Sequence, residues 1–173
     1  MLVRARTIAL VVVAAIISGC VPPTPPTATE PVPRDVFVTG TADGVWSRLL
    51  VVLTDLNLPV ENMDKASWFM RTQEMRLSPN DAVASFDCGA EMGAKRAGSV
   101  EMYARVTILL RPASDSTGVR VQVNPRGFDP VNARLAAQGN PFAGDPNVRC
   151  VSLGKIESNI LSALGAPDGR SYS

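Results

Sequence analysis

The clearest constraint on the fold is a strict alternation of apolar and mostly polar residues at 102–111. Apolar side chains occupy the even positions from Met102 to Leu110, and Tyr103, Arg105 and Thr107 are among the odd ones. A period of two is typical of a strand with one buried and one exposed face. A second alternation at 119–123 follows a turn at 112–118, so the sequence predicts an antiparallel hairpin.

Further predicted elements surround this hairpin, in the order β-α-β-β-β-β-β-α. They are strands at 35–39, 58–63, 67–77 and 83–88, a helix capped by Thr41 or Asp43 that stops before Pro59, and a helix capped by Ser152 that ends at Gly165. Pro59 makes the 58–63 strand an edge strand. The order favours an α+β fold of two layers, an antiparallel sheet with two amphipathic helices on one face.

Three segments of this domain lack a clear period. Gly89–Gly98 is rich in glycine and predicts a mobile loop. Residues 124–130 read as a turn cluster, and 131–138 as one or two helical turns.

The first 20 residues have the pattern of an export signal. Arg4 and Arg6 precede the apolar run Ile8–Ile17, which is shorter than the roughly 20 apolar residues of a spanning helix. The sequence 17–20, Ile-Ser-Gly-Cys, resembles the lipobox of bacterial lipoproteins, in which the cysteine is lipidated and becomes the new N-terminus. An ordinary signal peptide with a chance cysteine, or an uncleaved anchor, is the alternative.

The resemblance divides the chain and implies its location. It implies a signal peptide at 1–19 and a lipidated Cys20; the rest of the sequence predicts a tether that completes 20–34, a single domain at 35–167 and a frayed tail at 168–173. Diacylglycerol and an N-acyl chain on Cys20 would hold the protein on a membrane. No other cofactor is expected. The implied location is the periplasmic side of the bacterial envelope, and Val21 in place of aspartate favours the outer over the inner membrane.

The tether is rich in proline between 22 and 33. Such a segment favours extended polyproline II structure, at about 3.1 Å per residue. The sequence therefore predicts a passive spacer that holds the domain about 40 Å from the bilayer.

Cys88 and Cys150 remain once Cys20 carries lipid. In an oxidising compartment two such thiols normally form a bond. A Cys88–Cys150 disulfide would stabilise the fold by about 4 kcal/mol in the chain-entropy treatment. The two cysteines lack Cys-x-x-Cys spacing, so a structural role is predicted.

Composition argues against several function classes. The 173 residues include no histidine, which removes the commonest acid/base catalyst and zinc ligand. Lys plus Arg is 17 and Asp plus Glu is 16, a balance that argues against a nucleic-acid partner. No catalytic motif or phosphate-binding loop is present. We therefore predict no enzyme, no catalytic residues and no metal site.

A second resemblance covers Asp43–Trp68. This segment is similar to one element of the BamC (NlpB) lipoproteins, where a helix with a tryptophan leads into a strand, an aspartate turn and a second strand. Trp46, Val60 and Asp64 carry the match. The resemblance implies a helix-grip-like domain in an accessory lipoprotein of the outer membrane. That family has two such domains and no equivalent of a Cys88–Cys150 disulfide.

Four residues are candidates for a contact surface. They are Trp68 and Phe69, which point to opposite sides of a strand, and the basic pair Lys95 and Arg96. Together these observations predict a non-enzymatic accessory or structural subunit of an envelope complex, with membrane lipid and a protein as partners. The alternative is a periplasmic binding module for a lipid, glycan or peptide, which would need an apolar pocket of at least roughly 300 Å³.

Overall fold

The structure, a computed structural model, describes residues 23–28, 35–91 and 93–166. The predicted signal peptide, Cys20 and the tail at 168–173 lie outside the described residues. Within them the fold is α+β, as the sequence predicts, with four helices and a mainly antiparallel sheet.

The described residues form eleven strands and four helices. The strands are β1 (Val36–Thr39), β2 (Val60–Asp64), β3 (Phe69–Thr72), β4 (Met75–Arg76), β5 (Phe86–Asp87), β6 (Ala90–Glu91), β7 (Ala94–Lys95), β8 (Glu101–Pro112), β9 (Ser116–Phe128), β10 (Asn147–Val148) and β11 (Val151–Ser152). The helices are α1 (Ala42–Asp55), α2 (Pro79–Ser85), α3 (Pro130–Ala137) and α4 (Lys155–Ala163), with a short 3-10 turn at Arg96–Gly98.

The hairpin β8–β9 forms the centre of the main sheet. The strand order is β1-β9-β8-β3-β2, with β4 beside β8 and β10 beside β9. All 12 residues of β8 pair with β9, from Glu101 opposite Phe128 to Pro112 opposite Thr117. The predicted hairpin is therefore confirmed, and β2 is an edge strand, as Pro59 indicated.

The hairpin is longer than its alternation predicts, because β9 runs through most of the expected turn cluster at 124–130. Residues 120–126 of β9 pair only with β8 among the described residues, because β1 pairs with 116–119 and β10 with 127–128. An edge position of this kind tolerates Pro125.

Helices α1 and α4 cover one face of the sheet. Thr41 caps α1 and accepts the N–H of Gly44 at 3.3 Å. The buried side chains of α1 recur at three- and four-residue steps: Val45, Trp46, Leu49, Val52 and Leu53. With Ile160 and Leu161 of α4, they enclose the even-numbered residues of β8 in one core. On the opposite face of the sheet, none of the described helices packs against the strands.

The predicted strand at 67–77 is divided in two by a bulge. β3 pairs with β8 as far as Arg71 opposite Thr107, where the ladder stops. The Thr72 hydroxyl then accepts the N–H of Val106 at 3.0 Å, in place of a backbone carbonyl. Pairing resumes in a shifted register at Met75 opposite Ala104.

The predicted strand at 83–88 is wrong over most of its length. Ser78 accepts the N–H of Asp81 at 3.2 Å and Pro79 occupies the first turn, so α2 forms at 79–85. Both are helix-start signals, and they outweigh the short apolar run that follows. Only Phe86 and Asp87 are extended, as β5.

Two other expectations need correction. The segment Gly89–Gly98 is folded as the β6–β7 hairpin and the 3-10 turn. Helix α4 begins at Lys155 after Gly154, whereas Ser152 lies in β11. The Ser152 hydroxyl still acts locally, since it accepts the N–H of Gly154 at 3.1 Å.

Candidate functional site

The face of the sheet opposite the helices, here called the open face, is rich in arginine. It carries half-buried or exposed side chains from β1, β3, β4, β8 and β9: Phe37, Phe69, Arg71, Arg76, Tyr103, Arg105, Thr107, Leu109, Arg111, Arg120, Gln122, Asn124 and Arg126. These residues share a face because directly paired residues of antiparallel strands point the same way. No described element packs over them.

A single carboxylate serves two arginines at the centre of the open face. Glu61 Oε2 lies 3.2 Å from Nε of Arg71 and 3.7 Å from Nε of Arg105. The ladder between β2 and β3 is irregular at this residue, between the pairs made by Val60 and Asn62. Two guanidinium groups thus share one negative charge, which leaves a local excess of positive charge.

The same arrangement recurs near β1. Asp35 accepts Arg111 Nη1 at one carboxylate oxygen and Arg120 Nε at the other, each at 3.0 Å. Arg111 and Arg120 lie on β8 and β9, so the carboxylate links the two strands of the hairpin to the residue that precedes β1.

At the far end of the open face, an aromatic ring and two arginines form a network. Arg126 makes a two-point contact with Glu74, at 3.1 and 2.7 Å, and lies 4.8 Å above the centre of the Tyr103 ring. The Tyr103 hydroxyl donates to Glu101, which also accepts Arg76 at 2.7 Å. The hydrogen bond from Arg126 lowers the pKa of Glu74, and the hydrogen bond to Glu101 raises the pKa of Tyr103.

In total, six arginines of the open face share four carboxylates. Exposed ion pairs of this kind contribute only about 0–1 kcal/mol each to stability. Their clearer consequence is to hold planar donors in fixed positions on a solvent-facing surface. Arginine and tyrosine are enriched at protein interfaces, where they carry much of the binding energy.

The predicted contact residues Trp68 and Phe69 have different surroundings. Phe69 lies on the open face, opposite Leu109 of β8. Trp68 has a positive φ of 54° and packs edge-on against Trp46, with ring centres 5.8 Å apart, so it belongs to the core side. Alternation along a strand predicts the orientation of Phe69, but the left-handed backbone at Trp68 places that residue outside the strand.

The predicted basic pair is on a different surface. Arg96 is half-buried and lies 3.5 Å from Glu91 and 3.6 Å from Asp129. Lys95 is exposed at the end of β7. Neither lies on the open face, so the four predicted contact residues do not form one site.

The prediction of a tether that stands clear of the domain does not hold for residues 23–28, here called the strap. Thr24 and Ala90 form an antiparallel bridge, with N–H to O distances of 2.8 and 3.2 Å. The Asp87 carboxylate accepts the N–H groups of Thr27 and Ala28 at 2.9 and 2.8 Å. These bonds, chiefly that from Ala28, lower the pKa of Asp87.

Gly89 makes this close approach feasible. It has a φ of 78°, and a Cβ there would overlap the carbonyl oxygen of Thr24. The glycine-rich composition of 89–98, taken in the sequence as a sign of mobility, therefore has a packing reason at this position.

A disulfide lies beside the strap. Cys88 and Cys150 are bonded, across a sequence separation of 62, as the sequence predicts. Cys88 is buried against Met102, and the bond lies directly beside the β5–β11 pair, next to Asp87 opposite Val151. The bond therefore fixes Asp87 and Gly89, the residues that hold the strap, to the main sheet.

Three of the surface clefts in the described part of the chain are large enough to consider as ligand sites. One of about 440 Å³ is lined by Thr27, Phe86 and Asp87, and one of about 540 Å³ by Pro23, Glu91 and Phe142, so the strap contributes to both. The third, of about 360 Å³, lies between the end of α1, α2, α4 and β4 and has Leu58, Leu77, Ser85 and Asn159 in its lining.

One acidic side chain lies in the interior. Glu157 of α4 is 3% exposed, and the Ser152 hydroxyl lies 2.8 Å from one of its oxygens. Burial raises the pKa of Glu157, although this hydrogen bond and one from the Val123 backbone act in the opposite direction. Glu157 lines none of these three clefts, and it lies where α4 packs against β9 and β11.

No family model matches this chain, and no curated protein matches it significantly. Among the described residues, no helix is long and apolar enough to cross a membrane. The described residues also contain no group of three cysteine or acidic side chains suited to a metal ion.

Proposed function

We propose that the protein is a lipoprotein anchored through Cys20 on the periplasmic side of a bacterial membrane, with the outer membrane favoured, where it acts as a non-enzymatic accessory or structural subunit of an envelope complex. The observation that carries this proposal is the open face, where six arginines share four carboxylates. The partner it fits is a protein whose contact surface is acidic.

The physical case for a contact surface rests on charge and preorganisation. Arg71 and Arg105 share the single carboxylate of Glu61, so an incoming carboxylate would be a second acceptor for their N–H groups. Guanidinium groups bind carboxylates through two parallel hydrogen bonds, which gives geometric specificity. Aromatic and aliphatic neighbours, Phe69 and Leu109, supply apolar area within the same surface.

Two features of the chain support a non-enzymatic role. The chain has no histidine to act as a base. Cys88 and Cys150 are bonded to each other and so are not available as nucleophiles. The BamC-like segment at 43–68 supports an accessory role in the outer membrane only as a resemblance.

Site-specific photo-crosslinking in native membranes tests the partner. A photoreactive residue at Thr107, on the open face, is expected to give a discrete protein adduct. The same residue at Val51, which is exposed on α1, is the matched control and should give none. Replacement of both Arg71 and Arg105 by glutamine should reduce the Thr107 adduct. Equal adducts from Thr107 and Val51 would contradict an interface on the open face.

A separate experiment tests the anchor. The Cys20→Ser variant removes the acylated thiol, so the protein is expected to move from the membrane fraction to the soluble fraction. Unchanged retention in the membrane fraction would overturn the lipoprotein assignment.

A second candidate function, a binding module for a lipid, glycan or peptide, is favoured by the cleft of about 360 Å³ between helices and sheet. Its size exceeds the roughly 300 Å³ expected of a ligand site. Mass spectrometry of the purified protein after denaturation should then detect a released ligand. The Asn159→Trp variant, which fills the cleft from an exposed position of α4, should lose that ligand. Detection of no ligand in the wild-type protein would argue against this function.

A further inference from the structure

We propose that the strap seats the domain directly on the lipid surface, with the cleft formed by the strap, the β6–β7 hairpin and the loop around Phe142 facing the membrane. This inference rests on the proposed lipidation of Cys20. It replaces a spacer of about 40 Å with a short connection that fixes which side of the domain meets the bilayer.

The length of the connection follows from covalent geometry. Pro23 is the first residue of the strap, and only Val21 and Pro22 separate it from Cys20. Consecutive Cα atoms are 3.8 Å apart, so the lipidated residue lies within about 11 Å of Pro23. The bilayer surface must therefore pass close to the strap.

The strap is bound at two points, so it transmits this constraint to the domain. Thr24 pairs with Ala90, and the N–H groups of Thr27 and Ala28 bind the Asp87 carboxylate. The Cys88–Cys150 disulfide fixes this receiving site to the main sheet. As long as these contacts persist, the domain cannot move far from its anchor.

Phe142 gives the membrane-facing side an apolar contact. It is 91% exposed, and it lines the same cleft of about 540 Å³ as Pro23, Thr24 and Arg149. Its loop is held in place, because the N–H of Phe142 donates to Asn140 and that of Gly144 to Asn132. Transfer of a large aromatic side chain from water into the headgroup region is favourable.

Charge on this side is mixed. Lys95 and Arg149 are exposed and have no ion-pair partner within the described residues, whereas Glu91 and Asp145 lie on the same rim. The contact should therefore depend on the anchor and on Phe142. Replacement of anionic by neutral lipid should change it little.

Photo-crosslinking of the full lipidated chain in its membranes tests the seating. A photoreactive residue at Phe142 is expected to give several-fold more phospholipid adducts, counted by mass spectrometry, than one at Thr107 on the open face. Equal adduct yields at the two positions, or none at Phe142, would overturn the proposal.

A matched pair of glycine variants tests the strap. Gly89 and Gly93 have φ angles of 78° and 80°, so alanine is strained equally at both, but only at Gly89 does a Cβ meet the strap. Gly89→Ala should reduce the Phe142–lipid adducts several-fold, and Gly93→Ala should leave them unchanged. Thr24→Pro provides a second variant, because it removes the N–H that bonds Ala90 and alters only the strap. Full adduct yields in both Gly89→Ala and Thr24→Pro would overturn the role of the strap.

Membrane fractionation separates the failure of this inference from that of the proposed function. A wild-type chain found in the soluble fraction would overturn both. If the wild-type chain is in the membrane fraction but the chain with a photoreactive residue at Phe142 gives no lipid adducts, the seating alone is overturned. The anchored subunit would then stand.

Discussion

The β8–β9 hairpin and the strap region, residues 23–28 with 86–98, differ in what holds them together. The hairpin is built from residues close in sequence, and its inward-facing residues, Met102 to Leu110 at even positions of β8 and Val119 to Val123 at odd positions of β9, all face one core. The strap region depends on residues far apart in the chain, such as Thr24 with Ala90 and Cys88 with Cys150. Local pattern therefore specifies the first, whereas the second forms only once the rest of the fold has brought distant segments together.

The hairpin should give the largest effect, and it should depend on which face is changed. Val106→Asp buries an unpaired charge at a fully enclosed position, so we expect a loss of more than about 4 kcal/mol in unfolding free energy, or failure to fold. Thr107→Asp, one residue along on the open face, should cost less than about 1 kcal/mol. Urea titration followed by tryptophan fluorescence measures both, and similar losses would contradict the assignment of faces.

Loss of the disulfide should affect the two regions differently. The Cys88→Ser/Cys150→Ser variant should lower the unfolding free energy by about 2–4 kcal/mol. Hydrogen exchange should show the amides of Thr24, Thr27 and Ala28 losing protection, while those of β8 and β9 retain it. Uniform loss of protection in both regions would show that they are not energetically distinct.

Glu157 lies between the hairpin and β11, the strand that pairs with β5 of the strap region, since it accepts hydrogen bonds from Ser152 of β11 and from the backbone of β9. Burial raises its pKa above the ordinary value of 4.5, so the folded state binds more protons than the unfolded state between the two pKa values, and stability falls as pH rises. Glu157→Gln, which mimics the protonated form, should raise the unfolding free energy at pH 7. This increase should be smaller than the decrease caused by removing the disulfide. The difference in unfolding free energy between this variant and the wild-type protein should vanish below pH 4.5.

The matched variant for Glu157 is Glu61→Gln, on the open face. Thermal unfolding at several pH values compares the two. A stabilisation by Glu157→Gln that is independent of pH would contradict a buried carboxylate as its cause.

The open face should show the smallest effect on stability. Arg71→Gln should change the unfolding free energy by less than about 1 kcal/mol, because the ion pair with Glu61 is solvent-exposed. The same substitution should weaken crosslinking from Thr107 if the face binds an acidic partner. A large loss of stability would indicate that Arg71 supports the fold and not a contact.

The success of sequence-based prediction follows the same division. The alternation at 102–111 and the apolar stripe of α1 predicted their elements correctly, because burial imposes those periods directly. The helix at 79–85 was not predicted from the sequence, although Ser78 and Pro79 are helix-start signals, because the apolar run at 83–88 resembles a strand. On the open face, alternation placed Arg105 outward, but nothing in the sequence paired it with Glu61.

By itself, the sequence determined the α+β fold, the central hairpin and the pairing of Cys88 with Cys150, because periodicity and the number of available cysteines leave few alternatives. The tertiary structure decided the rest. It sends Trp68 to the core and Phe69 to the open face, and it brings Thr24 to Ala90, 66 residues away. Contacts of this kind depend on the relative position of packed elements, which no local pattern of residues encodes.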